Sequence, residues 1–252
     1  MEEQAYRQQF QLENGHWWFE GRRAVMWALL GRAEVRDGAR MLDAGCGTGR
    51  NLQEFGRLGT ATGIDPSPEA IDFCHQRGIQ GVTQGTIEHL EFVDGSFDLL
   101  LATDVLEHLR DDRAALRELR RVAAPGATLL CTVPAYRWLW SGHDDEHHHF
   151  RRYTLRELRA ALQAGGWRPL AESYFNSLLL PPIAAVRLLA RRRRRDAEVA
   201  RPDLRLTPSA LNGVLALPMR GEAALIGRGV RLPAGVSIGV VARAAEPGMM
   251  RL

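Results

Sequence analysis

From about residue 40 onward, short apolar runs alternate with amphipathic stretches, the pattern of repeated strand and helix units that build a mostly parallel sheet. The apolar runs predict strands at residues 40–44, 61–64, 81–83, 97–102, 128–133, 170–174 and 236–243. Helices are predicted at residues 69–77, at 110–122, where apolar positions recur three and four apart, and at 154–164. The last opens on Thr154 as N-cap, with Glu157 three positions on as the other half of a capping box, and Gly165-Gly166 ends it. A doubly wound α/β fold follows, Rossmann-like, with seven strands and the last of them antiparallel.

Two segments interrupt the repeat. Residues 1–38 read as an N-terminal helical lid, and residues 175–235 are too long for a loop between the last two strands. Pro181, Pro182, Pro202, Pro208, Pro218 and Pro233 punctuate this second segment, which is predicted to be a helical insertion with a mobile linker near residues 196–205. The expected organisation is therefore a lid (1–38), a core (39–174), a basic insertion facing substrate or membrane (175–235), and a final strand and tail (236–252).

Composition adds constraints. The longest apolar run, residues 178–186, contains two prolines and falls far short of the ~20 residues a membrane-spanning helix needs. The first ten residues are polar and acidic, unlike a secretory signal. Three widely spaced cysteines, Cys46, Cys74 and Cys131, argue against a disulfide framework, so the cytoplasm is the expected compartment. The net charge of +3 hides an asymmetry: residues 1–149 hold 15 Arg and 23 acids, a balance of −8, whereas residues 150–252 hold 18 Arg and 7 acids, a balance of +11. All 33 basic residues are arginine, a bias of composition to which no function is attached.

Chemistry concentrates where strands end. Met41-Leu42-Asp43 runs into Gly45-Cys46-Gly47-Thr48-Gly49, a strand turning sharply through glycines so that backbone N–H groups approach a ligand closely. After the next strand, Gly63-Ile64-Asp65-Pro66 places a carboxylate where it can accept from both hydroxyls of a ribose. A dinucleotide would also suit this spacing, but its fingerprint wants the third glycine one position later, at Arg50.

From Leu42 to about Pro134 the sequence resembles class I S-adenosylmethionine-dependent methyltransferases. That resemblance implies S-adenosylmethionine bound by Asp43, Gly45, Cys46, Gly47 and Gly49, with Asp65 and Pro66 at its ribose, Thr86 and Ile87 at its adenine, and Thr103 closing the fourth strand beside the sulfonium. Relatives usually carry Asp where this chain has Thr86, whose hydroxyl can still bond the adenine amino group.

Asp104, Glu107 and His108 follow the fourth strand, and on a helix these positions share one face. Two carboxylates and an imidazole suit a divalent cation such as Mg2+. The pattern resembles that of metal-dependent ubiquinone-biosynthesis O-methyltransferases and small-RNA 2′-O-methyltransferases, which implies a later histidine in the site; among His143, His147, His148 and His149, the match is His149. Asp104 departs from those families, which have Glu there. Two other readings stay open: Asp104 contacts the cofactor while Glu107 and His108 are ordinary side chains, or His108 or His149 is a general base.

Around the acceptor, Trp17, Trp18, Tyr136, Trp138 and Trp140 form either an aromatic wall for a flat or lipid-like substrate or part of the core. Arg151 and Arg152 would suit a carboxylate or phosphate on the substrate. The stretch from Ser177 to Arg195, ending in five arginines, reads either as an element lying on an anionic membrane surface, on the inner face, or as a solvated basic end. Nucleic acid ranks lower, since no stacking aromatics interleave the basic run. The expected reaction is methyl transfer to an oxygen of a quinone-like phenol, glycan lipid or natural product; RNA 2′-O-methylation and a non-catalytic binding scaffold are the alternatives.

Overall fold

The computed structural model describes residues 3–193 and 209–245. In chain order the elements are α1 (Glu3–Leu12), α2 (Trp17–Leu30), β1 (Ala39–Ala44), α3 (Arg50–Phe55), β2 (Gly59–Asp65), α4 (Pro68–Gln76), β3 (Val82–Gln84), β4 (Phe97–Thr103), α5 (Asp112–Val122), β5 (Ala123–Pro134), α6 (Gly142–Glu146), α7 (Leu155–Ala164), β6 (Trp167–Phe175), α8 (Leu180–Arg193), α9 (Ser209–Gly227) and β7 (Ser237–Ala244). The strands form one sheet in the order β3-β2-β1-β4-β5-β7-β6. β7 runs antiparallel to both β5 and β6, and the pairs β1–β2, β1–β4, β2–β3 and β4–β5 are parallel.

Local chemistry sets the ends of the helices. Thr154 caps α7 and closes the expected box with Glu157, while Ser67 and Asp111 cap α4 and α5 through their side-chain oxygens. One face of the sheet buries Leu42, Leu100, Leu129 and Val240 against α5 and α7; the other buries Met41, Leu99, Leu101, Leu130 and Val241 against α2 and α9. Strands covered on both faces explain the continuous apolar runs at 97–102 and 128–133.

The segment expected to be a lid divides into two roles. α2 is largely a core helix with Val25, Met26 and Leu29 fully buried, while its first turns join α1 in lining the crevice. The insertion contributes α8 and α9, of which α9 buries Met219 and Ala223 beside α2. At this crossing the backbones come close: a Cβ on Gly21 would meet Cβ and Sδ of Met219 at 2.7 Å. No helix among the described residues is long and apolar enough to cross a membrane. The side chains of Arg191–Arg195, and the linker expected at 196–205, lie outside the described residues.

Candidate active site

The strand order reverses direction between β1 and β4, and ligands of open α/β sheets sit beyond the carboxyl ends of strands at such a point. A cavity of about 830 Å³ opens there. On its floor the glycine turn leaves β1. Gly45 has φ +85°, and a Cβ there would lie 2.4 Å from Val105 Cγ2, so only glycine fits. The turn is pinned by the Gly45 and Cys46 N–H groups, which donate to the Ile64 carbonyl at 2.8 Å.

Asp65, at the end of β2, accepts from Gly47 N–H at 2.9 Å and Ser67 N–H at 3.0 Å, which fixes its carboxylate beside the turn. Burial pushes its pKa up, while those two backbone donors hold it down. Pro66, Thr86, Ile87 and Thr103 line the same cavity, as do Gly45, Cys46 and Gly47. Gly49 and Asp43 are not in its wall. Gly49, at φ +83°, packs against Cys74 and Ile79. Asp43 is fully buried beneath the turn with neither carboxylate oxygen bonded. Burial raises its pKa to about 7, with Arg22 pulling down and Asp65 and Glu13 pushing up.

Sequence reasoning missed what the N-terminal helices bring to this cavity. Tyr6 on α1 donates its hydroxyl to Asp65 Oδ1 at 3.0 Å, and Gln9 from the same helix and Glu13, just past its end, line the wall. Glu13 is tied to the Thr48 hydroxyl and pairs with Arg77 at 2.6 Å, which fastens α1 to the glycine turn. Arg22 on α2 pairs with Asp104, leaving its buried Nε without a partner. Next to it, Arg23 is also buried, with Nη1 unpartnered, and burial followed by repulsion from Arg50 and Arg22 lowers its pKa to about 10. The only signal in the sequence was the pair Arg22-Arg23 inside an otherwise apolar helix. Arg22, in the cavity wall with its Nε unpartnered, and a glycine cradle fit a cofactor carrying a carboxylate and a ribose.

Across the cavity the chain leaves β4 through Asp104, whose φ of +56° breaks the expected helix. A single tight turn over Leu106–His108 follows, and α5 begins only at Asp112. Asp104 therefore does not share a face with Glu107 and His108. It accepts from Arg22 and from the Thr132 hydroxyl at 3.1 Å, and its oxygens are not among the ligand atoms that converge. One ligand atom each of Glu107, His108 and His149 does converge, all within 4.8 Å of one another. His108 and His149 rings meet edge to face at 4.6 Å, and His143 and His147 join the same wall. Burial, then neighbouring histidines, lowers His108 and His143 to about 3 and His147 to about 4, so these three rings are neutral at working pH. Glu107 is pushed up, by burial first and by Asp104 second, and its Oε2 has no partner.

The remaining predicted residues divide. Trp17 and Trp18 line the cavity. Tyr136, Trp138 and Trp140 do not: Tyr136 stacks between Tyr174 and Trp138, and the Trp140 indole donates to Asp145 at 2.8 Å. Arg151 is spent on the Leu109 and Arg110 carbonyls and on Asp112. Arg152 reaches the wall but is buried and bidentate on Asp144, at 2.7 and 3.0 Å. Neither arginine is left for a substrate anion. The apolar wall comes instead from the insertion: Leu179, Pro182, Ile183 and Val186 of the α8 region and Leu215 of α9.

Sheet order, glycine turn and the acid closing β2 define the chain as having the class I methyltransferase fold. Residues 42–131 match the family described as a methyltransferase domain. Over 146 residues the chain is 34% identical to the malonyl-[acyl-carrier protein] O-methyltransferase of Serratia marcescens, covering 54% of this chain and 56% of that protein. Over 103 residues it is 35% identical to the ubiquinone biosynthesis O-methyltransferase of Xanthomonas oryzae pv. oryzae, covering 38% and 43%. The chain thus spans about half the length of these relatives or less. Among solved structures, the methyltransferase complexed with the Trm112 activator of Haloferax volcanii superposes with a TM-score of 0.61 at 19% identity, covering 96% of this chain and 94% of that one, a likeness of fold.

Proposed function

We propose that the chain transfers a methyl group from S-adenosylmethionine to an oxygen of an acceptor with an apolar body. The observation that carries this reading is a single cavity in which the glycine turn and Asp65 face a cluster of neutral histidines. When bound, S-adenosylmethionine supplies an electrophilic methyl. Asp65 would hold the ribose hydroxyls, and Arg22, which reaches the cavity wall, its carboxylate. The glycine turn, bare of side chains and with its Gly45, Cys46 and Gly47 amides spent on Ile64 and Asp65, lets the ligand approach the backbone closely, and α1 covers it from above. His149 would take the proton from the acceptor hydroxyl, since His108, lowered to about 3, is a weak base at neutral pH. Leu179, Ile183 and Leu215 surround the acceptor's apolar part, and catalysis rests chiefly on holding the two reactants in line. Titration calorimetry tests the first half: wild type binds S-adenosylmethionine, and Asp65→Ala, which loses charge-assisted hydrogen bonds of about 1.5–3 kcal/mol, binds at least tenfold more weakly. Equal affinity in the two proteins would overturn the assignment.

The convergence of Glu107, His108 and His149 favours a second reading, in which these three hold a divalent cation. An oxygen donor and two imidazole nitrogens suit a borderline transition metal better than Mg2+. When bound, such an ion would lower the pKa of an acceptor hydroxyl. Turnover that survives exhaustive chelation excludes this reading and leaves the proton with His149.

A further inference from the structure

Beneath the acceptor face lies an arrangement that the methyl-transfer reading does not require, centred on Asp144. Its side chain is fully buried at the start of α6. Four donors and one imidazole nitrogen converge on its two oxygens. His149 Nδ1 lies 2.9 Å from Oδ1; Arg152 donates from Nε to Oδ1 at 2.7 Å and from Nη2 to Oδ2 at 3.0 Å; Ser141 donates its N–H and hydroxyl to Oδ2 at 2.8 and 3.3 Å. The backbone repeats the tie, since His149 N–H donates to the Asp144 carbonyl at 2.9 Å. Arg152 is itself fixed, donating from Nη1 to the Ala135 carbonyl at 3.1 Å at the end of β5. The imidazole of His149 is thereby bolted to the central sheet through two side chains, although it sits on a connecting segment between α6 and α7.

We propose that Asp144, clamped by Arg152, is a positioning residue that holds His149 in the Nδ1–H tautomer and presents its Nε2 lone pair to the acceptor side of the cavity. The inference rests on the reading of His149 as an acceptor-side group, and serves it whether Nε2 takes a proton or a metal ion. An ionised carboxylate only accepts, so the ring nitrogen facing it must carry the hydrogen, and the other nitrogen of a neutral ring is left with its lone pair. The bidentate guanidinium of Arg152 and the Ser141 N–H and hydroxyl all donate to Asp144, so that both of its oxygens serve as acceptors and its charge is matched by the clamp. The same logic governs any imidazole backed by a buried carboxylate, where an amide in its place lets the ring adopt the wrong tautomer. Buried carboxylates of this kind also orient histidines that bind metals.

Nitrogen-15 NMR of the full chain labelled at histidine reads the tautomer directly and needs neither cofactor nor acceptor. In wild type His149 should show a protonated Nδ1 and an unprotonated Nε2 at neutral pH; the reverse pattern would overturn the proposal. In Asp144→Asn the Nδ1–H form should cease to dominate, while S-adenosylmethionine affinity by calorimetry stays within twofold, because Asp144 lies outside the cavity wall. Unchanged tautomer populations in a folded Asp144→Asn chain would also sink the idea. Should that variant fail to fold, the wild-type spectrum alone decides, with Arg152→Lys as second variant: it keeps a charge but loses the planar fork, and is expected to retain Nδ1–H with a broadened His149 signal. A His149 resonance that has switched to Nε2–H in Arg152→Lys would mean that the clamp, not the carboxylate, sets the ring, and would refute the role given to Asp144. Loss of cofactor binding in wild type would overturn the proposed function and leave the tautomer result standing.

Discussion

Asp43 shows what the glycine turn costs at the scale of one side chain. Fully buried and unbonded, it keeps its proton to about pH 7 in the folded chain, whereas in the unfolded chain it ionises near 3.8. Between those values the folded state holds a proton that the unfolded state has released, so this group's contribution to stability falls as pH rises, by about 1.4 kcal/mol per pH unit. Asp43→Asn removes the dependence. Urea denaturation without cofactor should therefore show the variant gaining on wild type from pH 4 to 7, toward about 4 kcal/mol, and levelling off above. A difference independent of pH would mean that Asp43 is ionised and paired in solution. Arg22, the nearest compensating charge, is spent on Asp104.

Elements account for what the sequence did and did not disclose. The strands and the capping box at Thr154 were legible because each is a local signal: a two-sided apolar run, or two polar residues three apart. Asp104 was not, because a helical spacing of three and four gives no warning that the residue opening it takes a left-handed backbone, where few side chains go. Nor was Tyr6 over Asp65, a contact spanning 59 positions that depends on where α2 delivers α1. Arg151 and Arg152 looked like anion ligands since nothing local reveals that main-chain carbonyls, Asp112 and Asp144 already claim them. The α2–α9 crossing is legible only afterwards, in Gly21. Gly21→Val should force the helices apart and cost about 1–3 kcal/mol in chemical denaturation. Full stability in that variant would mean that Met219 yields and the crossing is loose.

For the whole molecule, the sheet carries the glycine turn and Asp65, and the two added segments supply what lies over them. On the proposed function, α1 and α2 would cover the donor end while α8 and α9 line the acceptor end with apolar side chains, and cofactor affinity and acceptor preference would reside in different parts of the chain. This separation is testable by one change in the insertion. Ile183 is half-buried in the apolar wall and is carried by α8, not by the sheet that holds the glycine turn and Asp65. Ile183→Glu replaces a side chain worth roughly 1.5–3 kcal/mol of burial with a charge, so an apolar fluorescent probe such as an anilinonaphthalene sulfonate should bind at least tenfold more weakly. S-adenosylmethionine should bind as in wild type. A probe that binds equally well to both proteins would place the apolar acceptor site elsewhere, and a parallel loss of cofactor affinity would show that the insertion and the sheet act as one site, with α8 helping to hold the donor as well as the acceptor.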